Sequence, residues 1–263
     1  IMTSFVDSHC HINFPELYQN IDSILSKMSS NKVTHALCVS VTLDKLPDIF
    51  KVANKYPHIF ASVGVHPDYE DIEEPSIEEL CRLSQENKVV AIGETGLDYF
   101  RTGEDLIHLQ QHSFESHITI AKENNIALQI HDRDAHADVV ATLKRVGAPE
   151  RTVFHCFSGD KELAEILIEN GWYASFAGTI TFKKNQDLRD ALAMLPPELI
   201  LVETDAPFLT PEPFRGRPNS PYLIPITVRK MAEVRGISEE ELAGQITKNT
   251  EAVYGLWSDG LNG

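Results

Sequence analysis

Two histidines lie one residue apart at the end of a short apolar run near the start of the chain, in FVDSHCH. In an extended strand, side chains two positions apart point to the same side. His9 and His11 are therefore expected to direct both imidazole rings toward one point. This arrangement is typical of a metal-binding pair, provided that later parts of the chain supply further ligands.

Other polar residues of metal-binding or catalytic type follow the later apolar segments. The motifs are GVHP with His66, GETGLD with Glu94 and Asp98, IHDRD with His131 and Arg133, FHCFSG with His155, and ETDAP with Glu203 and Asp205. A single histidine is most often a surface or hydrogen-bonded core residue. That interpretation is kept for His35, His58, His108, His112, His117 and His136. Several histidines at strand ends, beside carboxyl groups that need a cation or hydrogen bonds there, favour a metal centre instead.

The elements that must position these residues alternate between apolar, β-rich runs and amphipathic stretches. Strands are predicted at residues 5–7, 34–40, 59–65, 89–93, 126–130, 152–154, 172–176 and 199–202, and helices for example at 21–28, 106–123 and 161–169. The strands are continuously apolar, which is typical of buried parallel strands. Eight of them in 263 residues favour an α/β fold, a single-domain (β/α)8 TIM barrel. An open, doubly wound sheet is the alternative.

The spacing of the candidate ligands agrees with a barrel. His66, Glu94, His131 and His155 are separated by intervals that each accommodate one β/α unit. The longer intervals, from His9 to His66 and from His155 to Asp205, each accommodate two units, so that the second and seventh strands carry no candidate ligand. The metal site is thus expected at the C-terminal mouth of the strands. The barrel is predicted over about residues 4–235, with a long loop at 207–225 and a helical end over about 238–257.

The candidate ligand set is larger than one ion needs. Four imidazoles and two carboxylates exceed the ligands of a single tetrahedral ion. A dinuclear site bridged by a carboxylate, with two divalent ions about 3.5–4 Å apart, fits the set. Mixed nitrogen and oxygen ligands leave Mg²⁺, Mn²⁺, Zn²⁺ and Fe²⁺ open as the metal.

Charge and composition limit the partners. The formal net charge of −16 argues against broad electrostatic binding to nucleic acid. A nucleic-acid end entering the metal pocket stays compatible with it, because bound cations reverse the local charge. No apolar run is long enough to cross a membrane and no secretory signal is recognised, so we expect a cytoplasmic protein without membrane contact. A monomer without an obligate protein partner is the default.

The four cysteines form no C-x-x-C pair, so neither a zinc knuckle nor a redox motif is indicated. Free thiols in a reducing compartment are expected. Cys10 and Cys156 each adjoin a candidate ligand. By strand alternation, both side chains should face away from that ligand and into packing.

The motifs DSHCH, GVHP, GETGLD, IHDRD, FHCFSG, ITFK, ETDAP and RGRPNSP occur in this order from Asp7 to about Leu256. In this the chain resembles the TatD family of metal-dependent hydrolases, within the amidohydrolase-like barrels. The resemblance implies one ion bound by His9, His11 and Asp205, a second bound by His131 and His155, and Glu94 bridging both. It also implies deoxyribonuclease activity, often from a 3′ end; related proteins are linked to removal of D-amino acids from tRNA. The stretch SFAG at residues 175–178 departs from the serine that many relatives have before the glycine.

The predicted chemistry is hydrolysis of a phosphodiester at a DNA end by a water molecule that two ions activate. Asp205 is the candidate general base. His66 and Arg133 are expected to hold phosphate oxygens, although a plain surface ion pair is an equal alternative for Arg133. Asp98 and Glu203 are expected to orient the metal ligands.

Two other functions stay open. The same site could hydrolyse a carboxylic ester or amide, such as a D-aminoacyl-tRNA or a small lactone. The net charge favours this alternative, whereas His66 and Arg133 favour an anionic substrate. A binding or scaffold protein with structural metals is disfavoured, because structural sites are closed and these ligands are predicted at an open mouth.

Overall fold

One eight-stranded parallel sheet, in sequential order β1 to β8, forms the centre of the molecule. The structure is a computed structural model that describes residues 3–68, 76–100 and 102–255. The strands are β1 (Phe5–Cys10), β2 (Val33–Cys38), β3 (Ile59–Val63), β4 (Val89–Asp98), β5 (Ala127–Arg133), β6 (Thr152–Phe154), β7 (Tyr173–Phe176) and β8 (Ile200–Val202). The predicted (β/α)8 barrel is confirmed, and the doubly wound alternative is wrong because that fold reorders its strands.

Helices alternate with the strands and continue after the last one. They are α1 (Pro15–Tyr18), α2 (Ile21–Ser30), α3 (Leu46–Lys55), α4 (Ile77–Ser84), α5 (Glu104–Glu123), α6 (His136–Val146), α7 (Lys161–Asn170), α8 (Gln186–Met194), α9 (Ile224–Arg235) and α10 (Glu239–Tyr254). Short 3-10 turns lie at Leu43–Lys45, Gly178–Thr181, Pro197–Leu199 and Pro221–Leu223. Within the described ranges, no helix combines the length and apolarity needed to span a bilayer.

Local sequence explains several helix ends. Ser76, Asp160 and Ser238 precede α4, α7 and α10, and each side chain accepts a hydrogen bond from a backbone N–H of the first turn. Such caps satisfy donors that the helix itself leaves free. Helix α7 ends at Gly171, whose φ of 69° is a left-handed conformation that glycine adopts at little cost.

The barrel closes between its last and first strands at the candidate site. The Asp205 N–H donates to the His9 carbonyl and the His11 N–H donates to the Ala206 carbonyl, each at 2.8 Å. The buried carboxylate of Asp7 reinforces the junction, since it accepts from the Thr204 N–H at 3.0 Å and from the Thr204 hydroxyl at 2.5 Å. Burial raises the pKa of Asp7 to about 7, although these hydrogen bonds act in the opposite direction.

Two strands are irregular where they carry candidate ligands. The pairing of β1 with β2 shifts between Asp7 and Cys10, and that of β4 with β5 shifts between Ile92 and Thr95. Irregularities of this kind re-aim side chains and are frequent beside active sites. Gly93 lies in the second one, with φ of 148°, and a Cβ there would lie 2.7 Å from the Gln129 carbonyl oxygen. Glycine thus permits the close approach of β4 to β5.

Some predicted boundaries need correction. Strands β1 and β4 continue past residues 7 and 93, so that His9, Glu94 and Asp98 lie within strands rather than after them. The predicted loop at 207–225 ends early, because the Pro221–Leu223 turn leads into α9 at Ile224; a proline in the first turn needs no N–H donor there. The predicted helical end corresponds to α10, and residues 256–257 of that prediction lie outside the described part of the chain.

A buried histidine on α5 supports the segment before His66. His117 is fully buried; its Nδ1 donates to the Ser113 carbonyl at 2.7 Å, and its Nε2 accepts from the Val65 N–H at 3.0 Å. The ring is neutral in this arrangement, because Nε2 must keep its lone pair. Burial lowers the pKa of His117 to about 4, despite the hydrogen bond to Ser113.

This pKa predicts a pH-dependent loss of stability that His117→Gln removes. Between pH 6.5 and 4 the unfolded chain takes up a proton at His117 and the folded chain does not, so stability falls as the pH falls. Linkage gives a loss of about 2 kcal/mol between pH 7 and pH 5 from this residue. Urea unfolding at both values should show a pH-dependent loss smaller by that amount in the variant. Equal losses in the two proteins would contradict the prediction.

Candidate metal centre

The candidate ligands converge on an open cavity of about 590 Å³ at the C-terminal mouth of the barrel. Its walls include His11, His66, Glu94, Asp98, His131 and Asp205. His9 lies beneath them and is fully buried. The structure therefore brings together residues from β1, β4 and β5 and from the turns after β3, β6 and β8.

The carboxylate of Glu94 lies at the centre of this cluster and divides it into two groups. Its Oε1 is 2.8 Å from His155 Nε2 and 3.1 Å from His131 Nδ1. Its Oε2 is 3.4 Å from His9 Nε2 and 3.7 Å from His11 Nε2. His66 Nε2 also lies 3.3 Å from Oε1, so each oxygen faces its own group of imidazoles, and a carboxylate placed in this way could bridge two cations.

Asp205 completes the group on the Oε2 side. Its Oδ1 lies 3.2 Å from both His9 Nε2 and His11 Nε2. Among the described residues, atoms that could ligate a metal lie within 4.8 Å of one another in three overlapping sets: His9, His11 and Glu94; His66, Glu94 and His131; and His9, His155, Glu203 and Asp205. Two neighbouring ions are therefore geometrically possible.

The outward hydrogen bonds of the first two histidines indicate where their protons lie. His9 Nδ1 is 2.6 Å from Gln129 Oε1, and His11 Nδ1 is 3.0 Å from the Val39 carbonyl. Both partners are acceptors, so Nδ1 must donate in each ring. In the neutral ring, Nε2 then presents a lone pair toward the carboxylates.

Two acidic residues hold the other two imidazoles in the same way. His155 Nδ1 donates to Glu203 Oε2 at 3.0 Å, and His131 Nε2 donates to Asp98 Oδ2 at 2.8 Å. The remaining nitrogen of each ring faces Glu94. Glu203 and Asp98 thus lie where a carboxylate can orient a metal-binding histidine.

Lone pairs that face carboxylate oxygens at about 3 Å require a positive charge between them. Among the described residues, the buried His9 Nε2 has no hydrogen-bond partner. Burial and the ring of His9 lower the pKa of His155, but Glu94 and Glu203 outweigh them and raise it to about 10. Burial raises the pKa of Glu94, yet the surrounding imidazoles hold it well below its usual range. The donor set therefore fits divalent metal ions.

His66 differs from the other histidines of the cluster. Its Nδ1 accepts from the Asp68 N–H at 3.0 Å, so the proton of the neutral ring lies on Nε2, 3.3 Å from Glu94 Oε1. Burial lowers the pKa of His66 more than the nearby carboxylate of Glu94 raises it. The lowered pKa keeps the ring neutral. His66 is thus suited to donate a hydrogen bond into the cavity.

Arg133 is exposed at the rim of the cavity. Its guanidinium lies 3.8 Å from the centre of the Phe100 ring, a stacked cation–π arrangement. The stacking leaves the edge of the guanidinium, which carries its N–H donors, available to an anionic group.

Sequence reasoning missed or misplaced three residues. Gln129 interrupts the apolar strand ALQI, and this polar residue in an apolar run was a recognisable signal. The contact of Asp7 with Thr204, in the turn after β8, has no local signal in the sequence. Cys10 is buried as expected, but Cys156 lines the cavity. The predicted orientation of Cys156 is wrong because β6 ends at Phe154, and strand alternation does not extend to the turn that follows.

Removal of metal should lower the thermal stability of the protein, and refilling should restore it. An ion that binds the folded chain at a hundredfold excess over its Kd adds about 2.7 kcal/mol. Chelator-stripped protein is refilled with Mg²⁺, Mn²⁺ or Zn²⁺ and unfolded thermally. Glu94→Gln should lose the shift, while His108→Gln, at an exposed position on α5, should retain it. A wild-type midpoint that no ion moves would refute the metal centre.

Comparison with known proteins agrees with this centre. The family profile described as TatD related DNase matches residues 6–255. The uncharacterized metal-dependent hydrolase YcfH of Escherichia coli K12 is 39% identical, over 95% of both chains. The uncharacterized metal-dependent hydrolase TatD of Mycobacterium tuberculosis is 36% identical, over 95% of this chain and 98% of its own. The crystal structure of YJJV, a TatD homologue from Escherichia coli K12, superimposes with a TM-score of 0.90 at 29% identity, covering 97% of this chain and 99% of that one. The chain therefore belongs to the TatD family and is a metal-dependent hydrolase.

Proposed function

We propose that the protein is a deoxyribonuclease that hydrolyses phosphodiester bonds at DNA ends, in the 3′-to-5′ direction, with two divalent ions. The observation that carries the proposal is the division of the Glu94 carboxylate between two groups of imidazoles, one group at each oxygen. A pair of cations held by these residues would suit in-line displacement at phosphorus, since two cations can stabilise both the attacking and the leaving oxygen. The description of the family profile as TatD related DNase supports the same substrate class.

The proposed ligands are His9, His11 and Asp205 for one ion and His131 and His155 for the other, with Glu94 shared. When bound, such ions lower the pKa of water and polarise a phosphoryl group. Asp205 acts as the general base. Burial raises the pKa of its carboxyl group, but hydrogen bonds with His11 and His9 outweigh burial and hold the pKa below its usual range. The group is therefore ionised at neutral pH and able to accept a proton.

His66 and Arg133 hold the phosphate in this proposal. The neutral His66 ring offers its Nε2–H inside the cavity, and the Arg133 guanidinium offers a fork of donors at the rim. Both groups offer N–H donors. They therefore suit the non-bridging oxygens of a phosphodiester.

An exposed aromatic ring beside the cavity supports a substrate that carries bases. Phe208 is 52% exposed, and its ring centre lies 6.3 Å from that of His11 and 6.1 Å from that of Phe14. Stacking of a base on an exposed aromatic ring is sequence-tolerant and contributes about 1–3 kcal/mol. Phe208 is thus placed to receive the base next to the scissile phosphate.

A DNA end suits the charge of the molecule better than a long duplex. The net charge of −16 opposes wide contact with a polyanion, whereas a single end needs only the metal centre and its rim. The cytoplasm is the compartment we propose, because all four cysteines are free thiols, as in proteins of a reducing environment.

Asp205→Asn should lower kcat at least about 100-fold, because the amide cannot accept the proton from water. The assay is nucleotide release from a 3′-labelled single-stranded DNA oligomer, with stripped protein refilled separately with Mg²⁺, Mn²⁺ or Zn²⁺. Metal content is measured in parallel, since Asp205 is also a proposed ligand. Asp187→Asn, at an exposed position on α8, serves as the matched control. Undiminished turnover in the Asp205 variant would exclude it as the base.

The nucleotide-release assay, run beside assays with carbonyl substrates, decides between hydrolysis at phosphorus and hydrolysis at a carbonyl carbon. Absence of nucleotide release with every ion, together with metal-dependent hydrolysis of a D-aminoacyl-tRNA, a lactone or an amide, would replace the deoxyribonuclease by the carbonyl alternative. The barrel and its ligands accommodate either reaction.

Phe208→Ala should raise the KM for single-stranded DNA about five- to tenfold, with kcat little changed, because about 1 kcal/mol of stacking is lost. An oligomer whose last three nucleotides lack bases should show no such difference between variant and wild type. Leu109→Ala, at another exposed apolar side chain on α5, is the control. Equal effects on both oligomers would show that Phe208 contacts no base.

A further inference from the structure

The side chain of Gln129 connects a candidate metal ligand to the C-terminal helix. Gln129 lies in β5 and is 1% exposed. Its Oε1 accepts from His9 Nδ1 at 2.6 Å. Its Nε2 donates to the Ser8 carbonyl at 2.8 Å and to the hydroxyl of Tyr254, the last residue of α10, at 2.7 Å. All three of these hydrogen bonds of the amide group are buried.

The two donor bonds fix which way the amide points. An amide nitrogen has two N–H donors, and the Ser8 carbonyl and the Tyr254 hydroxyl receive both. The amide oxygen is then held toward His9, and a flipped amide would place its N–H groups against the Nδ1–H of that ring. Gln129 therefore determines both the orientation of His9 and the ring nitrogen that carries its proton.

This control matters because of what His9 Nε2 faces. Asp205 Oδ1 and Glu94 Oε2 lie 3.2 and 3.4 Å from it. Without an acceptor at Nδ1, the ring proton can move to Nε2 and be donated to Asp205. The lone pair that should bind an ion is then lost, and the unpaired amide or ring nitrogen adds a desolvation cost.

We propose that Gln129 and Tyr254 form a positioning pair that maintains His9 as a metal ligand, so that α10 is part of the metal centre. The proposal rests on the dinuclear site of the proposed function, but not on its substrate. His131 and His155 are held by the separate carboxylates of Asp98 and Glu203. Loss of the pair should therefore affect the His9 ion selectively.

The test measures the stepwise Zn²⁺ affinities of the folded protein by competition with a chromophoric chelator. Gln129→Met keeps the side-chain length and removes the acceptor. It should weaken one step about 10–100-fold, the range typical of residues that orient a ligand, and change the other less than about threefold. Tyr254→Phe, which removes one anchor of the amide, should weaken the same step about three- to tenfold.

Asn249→Leu is the matched control for loss of a buried amide. Asn249 also lies in α10, and its Nδ2 donates to the carbonyls of Pro197 and Ile200 at 2.7 and 2.8 Å, away from the cavity. This variant should lose stability and retain both Zn²⁺ affinities. The comparison separates an effect on the ligand from general weakening of the helix.

Unchanged affinities in folded Gln129→Met, equal weakening of both steps, or the same loss in Asn249→Leu would each overturn the proposal. If Gln129→Met does not fold, Tyr254→Phe decides, and wild-type affinity at both steps in that variant overturns it. Because the measurement is of binding, absence of DNA hydrolysis would contradict the proposed function without affecting this result.

Discussion

The buried carboxylate of Glu94, which faces five imidazoles, is the constraint on which the rest of the structure depends. An ionised carboxylate in a protein interior is unfavourable unless positive charge or hydrogen bonds compensate it. The rings around Glu94 lie 2.8–3.7 Å from its oxygens and come from the end of β1, from β5 and from the turns after β3 and β6. A cation on each side would satisfy the carboxylate and the imidazole lone pairs together, and such binding requires the strands that carry these groups to converge at one mouth.

The contacts that close the barrel are the same contacts that build this mouth. The Asp205 N–H bonds the His9 carbonyl, and Asp7 ties the first strand to Thr204 next to Asp205. A disturbance of this junction would therefore displace two ligands at once. Irregular pairing in β1 and β4 has a related role, since it turns His9 and Glu94 away from the regular ladder and toward the cavity. The closure of the barrel and the positions of the candidate ligands therefore depend on the same contacts.

The sequence predicts the eight strands, their order and the residues at the mouth, because buried strands are recognisable as apolar runs and each run ends in polar residues. It does not predict where β1 and β4 end, since pairing resumes after the apolar pattern stops, at Cys10 in β1 and from Thr95 to Asp98 in β4. It also misses the contact of Gln129 with His9, because 120 positions separate the two residues and no local pattern relates them. Local periodicity predicts the individual strands and helices. Contacts between residues on distant strands can be recognised only in the closed barrel.

The site has two layers with different tasks. The lower layer, which contains His9, Glu94 and His155, is at most 5% exposed and is fixed by hydrogen bonds to neighbouring strands. The upper layer consists of exposed side chains at the rim, Arg133 on β5 and Phe208 on the loop after β8. A change in the lower layer alters the electrostatics on which hydrolysis depends. A change in the upper layer alters which substrates bind at the cavity. The same hydrolytic centre can therefore serve different substrates when it carries different rims.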